Sequence, residues 1–479
     1  MIQNKTTKFT SRTTCVLGLL VALGGNAQAQ TPYFTPGKLA VLQAGNGGTN
    51  QGNTPDDIFY SRQNPYFVDQ FEPNVLNQNW SNCTVRVTVP TNGATSIWMN
   101  GNAGTEGNLV LSGDRAFLTF GGYCGDICSI VAPPGSAPLA PSNIAYDRGI
   151  GQVDAFGAYT QPYRGPSWYG IAQGKTNPRG TVTDGAGHFW GCGNGFGSLY
   201  YDSGTGYQPN QVQNIVLTSC TKIINGTWYN SVKSGETGGL PIGIYSAVDF
   251  YLNPVPLPYG TASFPNLVIA TDPANNQNPI GFDIDPTGTK AYVADNKNGI
   301  FKYVKNGLNW QLAYRLSIPG YNTWNTGTRT NAASVETKVG IFSVTVDWSN
   351  PTNSVVYATT ADSPGADPRD AKAGSLTYYA NRVIRIDDTN AVTTGATIIA
   401  TTNILKTIVQ APVYNPSLIT NGTLPGLYIV YKSVAFTPDL RPSITGNPAN
   451  WSAAAVDPSA SFSVSATEPY SGSGSILYY

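Results

Sequence analysis

His188 is the single histidine of a 479-residue chain, and Asp184 precedes it by four residues in DGAGH. A carboxylate that orients an imidazole is what a general base needs, and any Ser–His–Asp triad would have to use this residue. Aligned with the repeats set out below, however, His188 stands at the start of a strand, where Arg115 and Lys290 stand in other repeats. That position makes it an exposed strand-end residue on the face of short loops. No GxSxG elbow or HExxH segment occurs.

Carboxylates are the second source of chemistry. Asp126, Glu236, Glu336, Asp362, Asp367 and Asp370 all fall on long connections. Two of them facing across a pocket could run glycoside hydrolysis. With Asn side chains they could hold Ca²⁺ for a lactonase-like reaction. The competing reading is a set of solvated loop acids. ADNKNG (294–299) lacks the ligand spacing and distal Glu of a calcium loop and reads as a turn. No cofactor is expected, with calcium as the one candidate.

Aromatic residues are the third. The long connections carry Trp168, Tyr169, Tyr321, Trp324, Tyr378 and Tyr379, with Arg164, Arg179, Arg329, Arg369 and Asp370 among them. Ring faces beside guanidinium and amide groups suit a sugar, which offers apolar faces to stack and a few hydrogen bonds to fix. Trp168, Tyr169, Arg164, Tyr321, Trp324, Arg369 and Asp370 are therefore the candidate ligand-binding residues. Against this stands the ordinary use of loop aromatics, to pin loops down by facing inward.

The elements that would position these groups are strands. Gly281 to Val304 (GFDIDPTGTKAYVADNKNGIFKYV) reads as three short strands separated by Pro/Gly/Asn turns. The same grammar recurs in 107–122, 180–195, 221–232 and 342–362. Ser112, Asp184, Asn225, Asp285 and Asp347 open the turns, and Phe117, Trp190, Tyr229, Tyr292 and Tyr357 are the aromatics of the second strands. Room for four strands in roughly 40–60 residues is propeller-blade spacing.

The two ends fit together. SVAFTPD (433–439) reads as a first strand whose partners appear at the other end of the chain: GKLAVLQAG (37–45), PYFVDQFEP (65–73) and CTVRVTVP (83–90). The expected fold is thus all-β, a six-bladed β-propeller whose last blade is shared between the two ends. Seven blades are the alternative, the extra one hiding in 240–280 or after Ser443. First-to-second and third-to-fourth connections fall on one face and read as short. The others are long in 121–147, 163–179, 230–242, 319–338 and 361–380, which makes that second face the candidate binding surface.

IDPTGTKAYVADN, with SVAFTPD, resembles the repeats of YVTN- and NHL-type secreted bacterial propellers. The resemblance covers most of 37–439 at repeat level and implies a propeller. Such families include binding scaffolds, lactonases and other hydrolases, so it implies no one activity.

Residues 1–29 read as a secretory signal peptide: Lys5, Lys8 and Arg12, then the apolar run 15–23, then Ala27-Gln28-Ala29. The propeller would occupy 30–440 and a Ser/Gly/Ala-rich tail or extra strands 441–479. Location is then secreted, periplasmic or at the cell surface. Removing three of the 27 basic residues and none of the 27 acidic ones leaves a net charge of −3. That balance argues against nucleic acid as a partner, and no later apolar run is long enough for membrane insertion. An extracellular glycan or a surface protein remains. Export permits disulfides, and strand ends brought together by neighbouring blades favour Cys192–Cys220, with Cys124–Cys128 second and Cys83 free. The leading functional reading is a binding module for a neutral polysaccharide or cell-surface ligand. The alternatives are an extracellular hydrolase using axial carboxylates and a structural surface or matrix protein.

Overall fold

The computed structural model describes residues 33–45, 63–100, 105–126, 146–170, 176–215, 217–233, 239–271, 278–296, 298–316, 340–350, 352–360, 381–389, 398–400, 404–411, 429–439, 443–445 and 465–467. Every regular element among them is a β-strand. Small, mainly antiparallel sheets are set in a propeller-like arrangement, each formed from chain-consecutive strands except where the two ends meet and where Ile398–Ala400 joins an earlier sheet.

Val430–Phe436 pairs antiparallel with Leu39–Ala44, which pairs with Gln63–Phe71, which pairs with Val85–Thr88. All six residues of Leu39–Ala44 are buried, as a strand covered on both faces and paired on both edges must be. Val110–Leu111, Phe117–Cys124, Asp147–Asp154 and Tyr159–Gly165 follow as a second antiparallel run. Next come Pro178–Thr183, His188–Gly193, Ser198–Asp202 and Asn210–Gln213. Thr221–Ile224, Thr227–Val232, Gly243–Val248 and Phe264–Ala270 make another sheet. Pro279–Ile284, Lys290–Asp295, Gly299–Asn306 and Asn309–Leu316 are joined by a parallel edge strand, Ile398–Ala400. Ile341–Asp347, Ser354–Thr360, Arg382–Asp388 and Ile404–Gln410 complete the series.

These strands form four separate sheets of four or five strands and one of nine, not six or seven independent ones. The short strand Trp98–Asn100 bonds both Gln63–Phe71 and Phe117–Cys124 and fuses their two runs. The segments set aside for a seventh unit are used elsewhere. Gly243–Val248 and Phe264–Ala270 finish the sheet that Thr221–Ile224 begins, and Ser443–Thr445 pairs only with Ser465–Thr467.

The core lies between sheets rather than within one layer. Leu42, Val68, Leu118 and Phe120 join the first run to the second. Ile150, Trp168, Phe189 and Tyr201 join the second to the third, and Val182, Trp190, Trp228 and Ala247 the third to the fourth. Ile244, Ile269, Phe282 and Tyr303 follow, then Tyr292, Val344, Ile384 and Ile386. Finally Tyr357 and Val383 pack on Leu39 and Tyr431, back where the series started. Apolar contact therefore runs in a circle. At its middle the first strands touch directly. Ser433 donates to Ser343 at 2.8 Å, Asn108 Nδ2 donates to the Ser219 carbonyl at 2.9 Å, and Lys222 Nζ reaches the Val344 carbonyl at 3.0 Å.

The cysteine pairing expected from strand ends is not formed. Cys83, Cys124, Cys192 and Cys220 are all free thiols. Cys192 turns onto its own sheet, its Sγ 3.6 Å from the Gly180 carbonyl, whereas Cys220 packs with Ile244 and Phe282. Cys124 accepts from Gln161 Nε2 at 3.2 Å, and its expected partner Cys128 lies outside the described residues. Burial pushes the Cys124 thiol up to about 12 and the Cys220 thiol up to about 11. Since the thiolate is the reactive form, alkylation of the native protein at pH 8 should leave both unmodified while denatured protein is labelled. A cross-linked Cys192–Cys220 peptide in the digest would overturn this assignment.

Candidate functional site

The turn that carries His188 is built by its own sequence. Gly185 and Gly187 hold φ values of +90° and +99°, in the left-handed half of the map where a side chain is strained. Between them the chain doubles back tightly enough for Asp184 Oδ1 to accept from the Ala186 amide at 2.8 Å. The other carboxylate oxygen takes the imidazole: Asp184 Oδ2 lies 2.6 Å from His188 Nδ1. Other turns use the same device for backbone amides. Asp285 Oδ1, for example, accepts from the Thr289 and Lys290 amides at 2.6 and 2.7 Å, while its Oδ2 takes the Thr287 and Thr289 hydroxyls. In the Asp184 turn the carboxylate also seats a titratable ring.

Neighbouring strands wall the ring in. His188 stands opposite Asp202, and Trp190 opposite Tyr200. The Tyr200 ring lies nearly parallel to the imidazole at 6.2 Å and 19°. From the next sheet, the connection 249–263 folds over it and sets Tyr259 edge-on at 4.9 Å. That connection is tied down by Trp190 Nε1 donating to the Pro258 carbonyl at 3.1 Å and Asn210 Nδ2 donating to the Gly260 carbonyl at 2.7 Å. Tyr259 also meets Trp190 edge-to-face at 5.5 Å.

The result is an open cleft of about 560 Å³. Tyr200, Tyr201, Tyr207 and Tyr259 supply aromatic surface, and His188, Asp202, Thr205, Gln208 and Asn210 supply polar atoms. Among the described residues no Lys or Arg lines it. Burial, with Asp202 and Asp184 nearby, pushes the Tyr200 phenol up to about 12. Burial and Asp184 likewise raise Tyr259. Both phenols therefore stay protonated as donors at any physiological pH. Tyr207 is 77% exposed and Tyr259 50%, unusual for large rings on a water-facing surface.

The residues expected to bind ligand fare differently. Trp168 and Tyr169 are fully buried, each 0% exposed, so neither offers a ring face to solvent. The reason lies in the strand beneath them: Gly191 and Gly193 leave a trough that Trp168 and Tyr169 fill, and a Cβ at either glycine would collide with them. The Tyr169 hydroxyl is spent on the Gly197 carbonyl at 2.7 Å. Arg164 is exposed and donates to the Ala94 carbonyl at 2.7 Å. Tyr321, Trp324, Arg369 and Asp370 lie outside the described residues. So do Glu236, Glu336, Asp362 and Asp367. Asp126 accepts from the Gly93 amide at 2.6 Å. Near the axis, Asp283 is engaged by the Val346 amide at 2.9 Å and by Lys222 at 3.7 Å. Among the described residues no group of three or more His, Cys, Asp or Glu side chains is placed to hold a metal.

No family model matches the chain. No curated protein matches it either. Solved structures similar to it include one from a nidogen/laminin complex, 11% identical over 83% of this chain and 98% of that one, TM-score 0.37. A putative 6-phosphogluconolactonase from Bacteroides uniformis is 12% identical over 78% and 98%, TM-score 0.34. PorZ, a surface component of the type-IX secretion system of Porphyromonas gingivalis, is 14% identical over 69% and 39%, TM-score 0.30. At such identities and TM-scores the architecture rests on the strand pairing described above.

Sequence reading missed the cleft because it took every connection on this face to be short. Two third-to-fourth connections are not: 203–209 brings Tyr207 and Gln208, and 249–263 brings Tyr259. Signals were present in YDSGTGYQPN and NPVPLPYG, where proline, glycine and tyrosine alternate without strand periodicity.

Proposed function

We propose that the protein is a binding module for a neutral, polyhydroxylated ligand such as an extracellular glycan, held in the cleft over His188. The observation that carries this reading is the lining itself: tyrosine surface beside amide, phenol and carboxylate groups, with no Lys or Arg among the described residues. Ring faces stack on the apolar faces of a sugar, and the fixed polar atoms orient its hydroxyls. Carboxylates without a balancing Lys or Arg disfavour an anionic ligand. The scaffold would be a six-bladed ring in which Trp98–Asn100 bridges two blades, one of them shared between the chain ends. Export under the signal at 1–29, to the medium, periplasm or cell surface, would bring the cleft to such a ligand.

The test is retention of the mature protein on a neutral-glycan array, followed by calorimetry on the retained glycan. Tyr200→Ala and Tyr259→Ala should each weaken binding by about tenfold, close to the cost of losing one aromatic platform with its hydrogen bond. Circular dichroism should stay unchanged in Tyr259→Ala, because Tyr259 sits half exposed on a connection. Tyr200 is buried against Val182 and Trp190, and its variant is compared at a temperature where it is folded. Equal affinity in both variants would place the site elsewhere. Turnover of the retained glycan, lost in Asp184→Asn, would instead favour the hydrolase reading.

A further inference from the structure

The seated imidazole gives the cleft a defined polarity. Nδ1 faces Asp184 Oδ2 at 2.6 Å, and the carboxylate can only accept, so Nδ1 carries the proton. Nε2 is then a bare lone pair. It makes no hydrogen bond among the described residues, the imidazole's one side-chain hydrogen bond there being to Asp184. The ring is held on three sides, by Tyr200, Trp190 and Tyr259 at 6.2, 6.4 and 4.9 Å, and its side chain is 28% exposed, on the cleft. The other named atoms of the lining differ in kind. Phenols can donate, and amide side chains can turn either way to suit a ligand. The Asp202 carboxylate, also an acceptor in the lining, already takes the Gly204 amide at 2.8 Å on Oδ1. An acceptor fixed in both tautomer and position is supplied by His188.

We propose that His188 Nε2 is the specificity-determining acceptor of this cleft, selecting ligands that present a hydroxyl donor to it and releasing them when the imidazole is protonated. This rests on the cleft being the binding site. Protonation would turn the acceptor into a donor and leave a bound hydroxyl facing an N–H. The charged groups around the ring are Asp184 on its own turn and Asp202 opposite on the adjacent strand, with Asp114 against Gly185 of the same turn. Tyr200 and Tyr259, from the other packed elements, remain neutral donors throughout. Affinity is thus expected to be higher where the imidazole is neutral than where it is protonated.

One histidine in the chain makes the test direct. Full-length mature protein labelled with ¹⁵N-histidine should show the Nδ1–H tautomer at pH 8, shifting toward Nε2–H in Asp184→Asn. Cellohexaose and maltohexaose serve as the probes. The one that binds should move the Nε2 resonance, and its affinity should drop about tenfold between pH 8 and 5 in the parent protein. In His188→Gln the affinity should be flat with pH. An Nε2–H tautomer at pH 8 overturns the inference. Probe-induced shifts confined to tyrosine ring signals overturn it too, while leaving the cleft as the binding site. If neither probe moves histidine or tyrosine signals, both the inference and the cleft reading fall.

Discussion

Asp388→Ala is expected to destabilise the protein by about 3–5 kcal/mol, the cost of stranding a buried charge. Asp388 is fully buried, and Lys302, at 4% exposure, reaches it at 2.9 Å. Tyr292 donates to the same carboxylate at 2.5 Å and Tyr314 at 2.8 Å, and Lys302 also lies over both rings, 5.5 and 5.1 Å from their centroids. The lysine comes from Gly299–Asn306 and the aspartate from Arg382–Asp388, so the cluster pins one sheet to the next across their apolar core. Removing the carboxylate leaves an ammonium and two phenols with no common acceptor. The paired change Lys302→Met with Asp388→Leu should cost much less than the single one, because an apolar pair of similar volume strands no charge. Urea denaturation of the three proteins checks this. A single variant as stable as the parent would show that the pair contributes nothing.

Ending the chain before Ile429 should abolish cooperative folding. That truncation removes Val430–Phe436, whose Tyr431, Val434 and Ala435 are buried against residues of their own nine-stranded sheet and of the sheet that holds Tyr357 and Val383, and bares the edge of Leu39–Ala44. An unpaired edge of an otherwise buried strand invites aggregation. A milder version, Tyr431→Ala, keeps the strand and should cost about 3–5 kcal/mol through the cavity it leaves. Size exclusion and a urea melt report both. A truncated protein that stays monomeric and melts like the parent would mean the strand is dispensable.

Much of the strand framework was legible because its signals are local. Ser112, Asp184, Asn225, Asp285 and Asp347 were marked as turn openers, and they sit at turns: the Ser112 hydroxyl accepts from the Phe117 amide at 2.9 Å, and Asp347 from the Ser349 amide at 2.9 Å. The meeting of 433–439 with 37–45 could be read because an orphan first strand and three orphan partners stood at opposite ends. Side-chain direction was not legible. Trp168 looks like an exposed loop aromatic until Gly191, in a strand more than twenty residues later, is seen to make room for it. His188 looks like a strand-end residue until Tyr259, seventy-one positions on, closes over it. Both depend on contacts between sheets, which periodicity within one sheet does not encode.

The pairing of Leu39–Ala44 with Val430–Phe436 also sets a clock. Leu39 and Phe436, which face each other in the register, are separated by nearly the whole chain. Loop closure over that distance is slow, and contacts of high sequence separation form late. During synthesis the strand that will sit deepest in the closing sheet waits with one edge open until the last sheet has emerged. Closure of the ring is therefore expected to wait until Val430–Phe436 has emerged. A circular permutant opened between Gly193 and Ser198 and joined at the old ends would leave 81 residues between Phe436 and Leu39 in place of nearly four hundred, and it should refold faster than the parent while reaching the same end state.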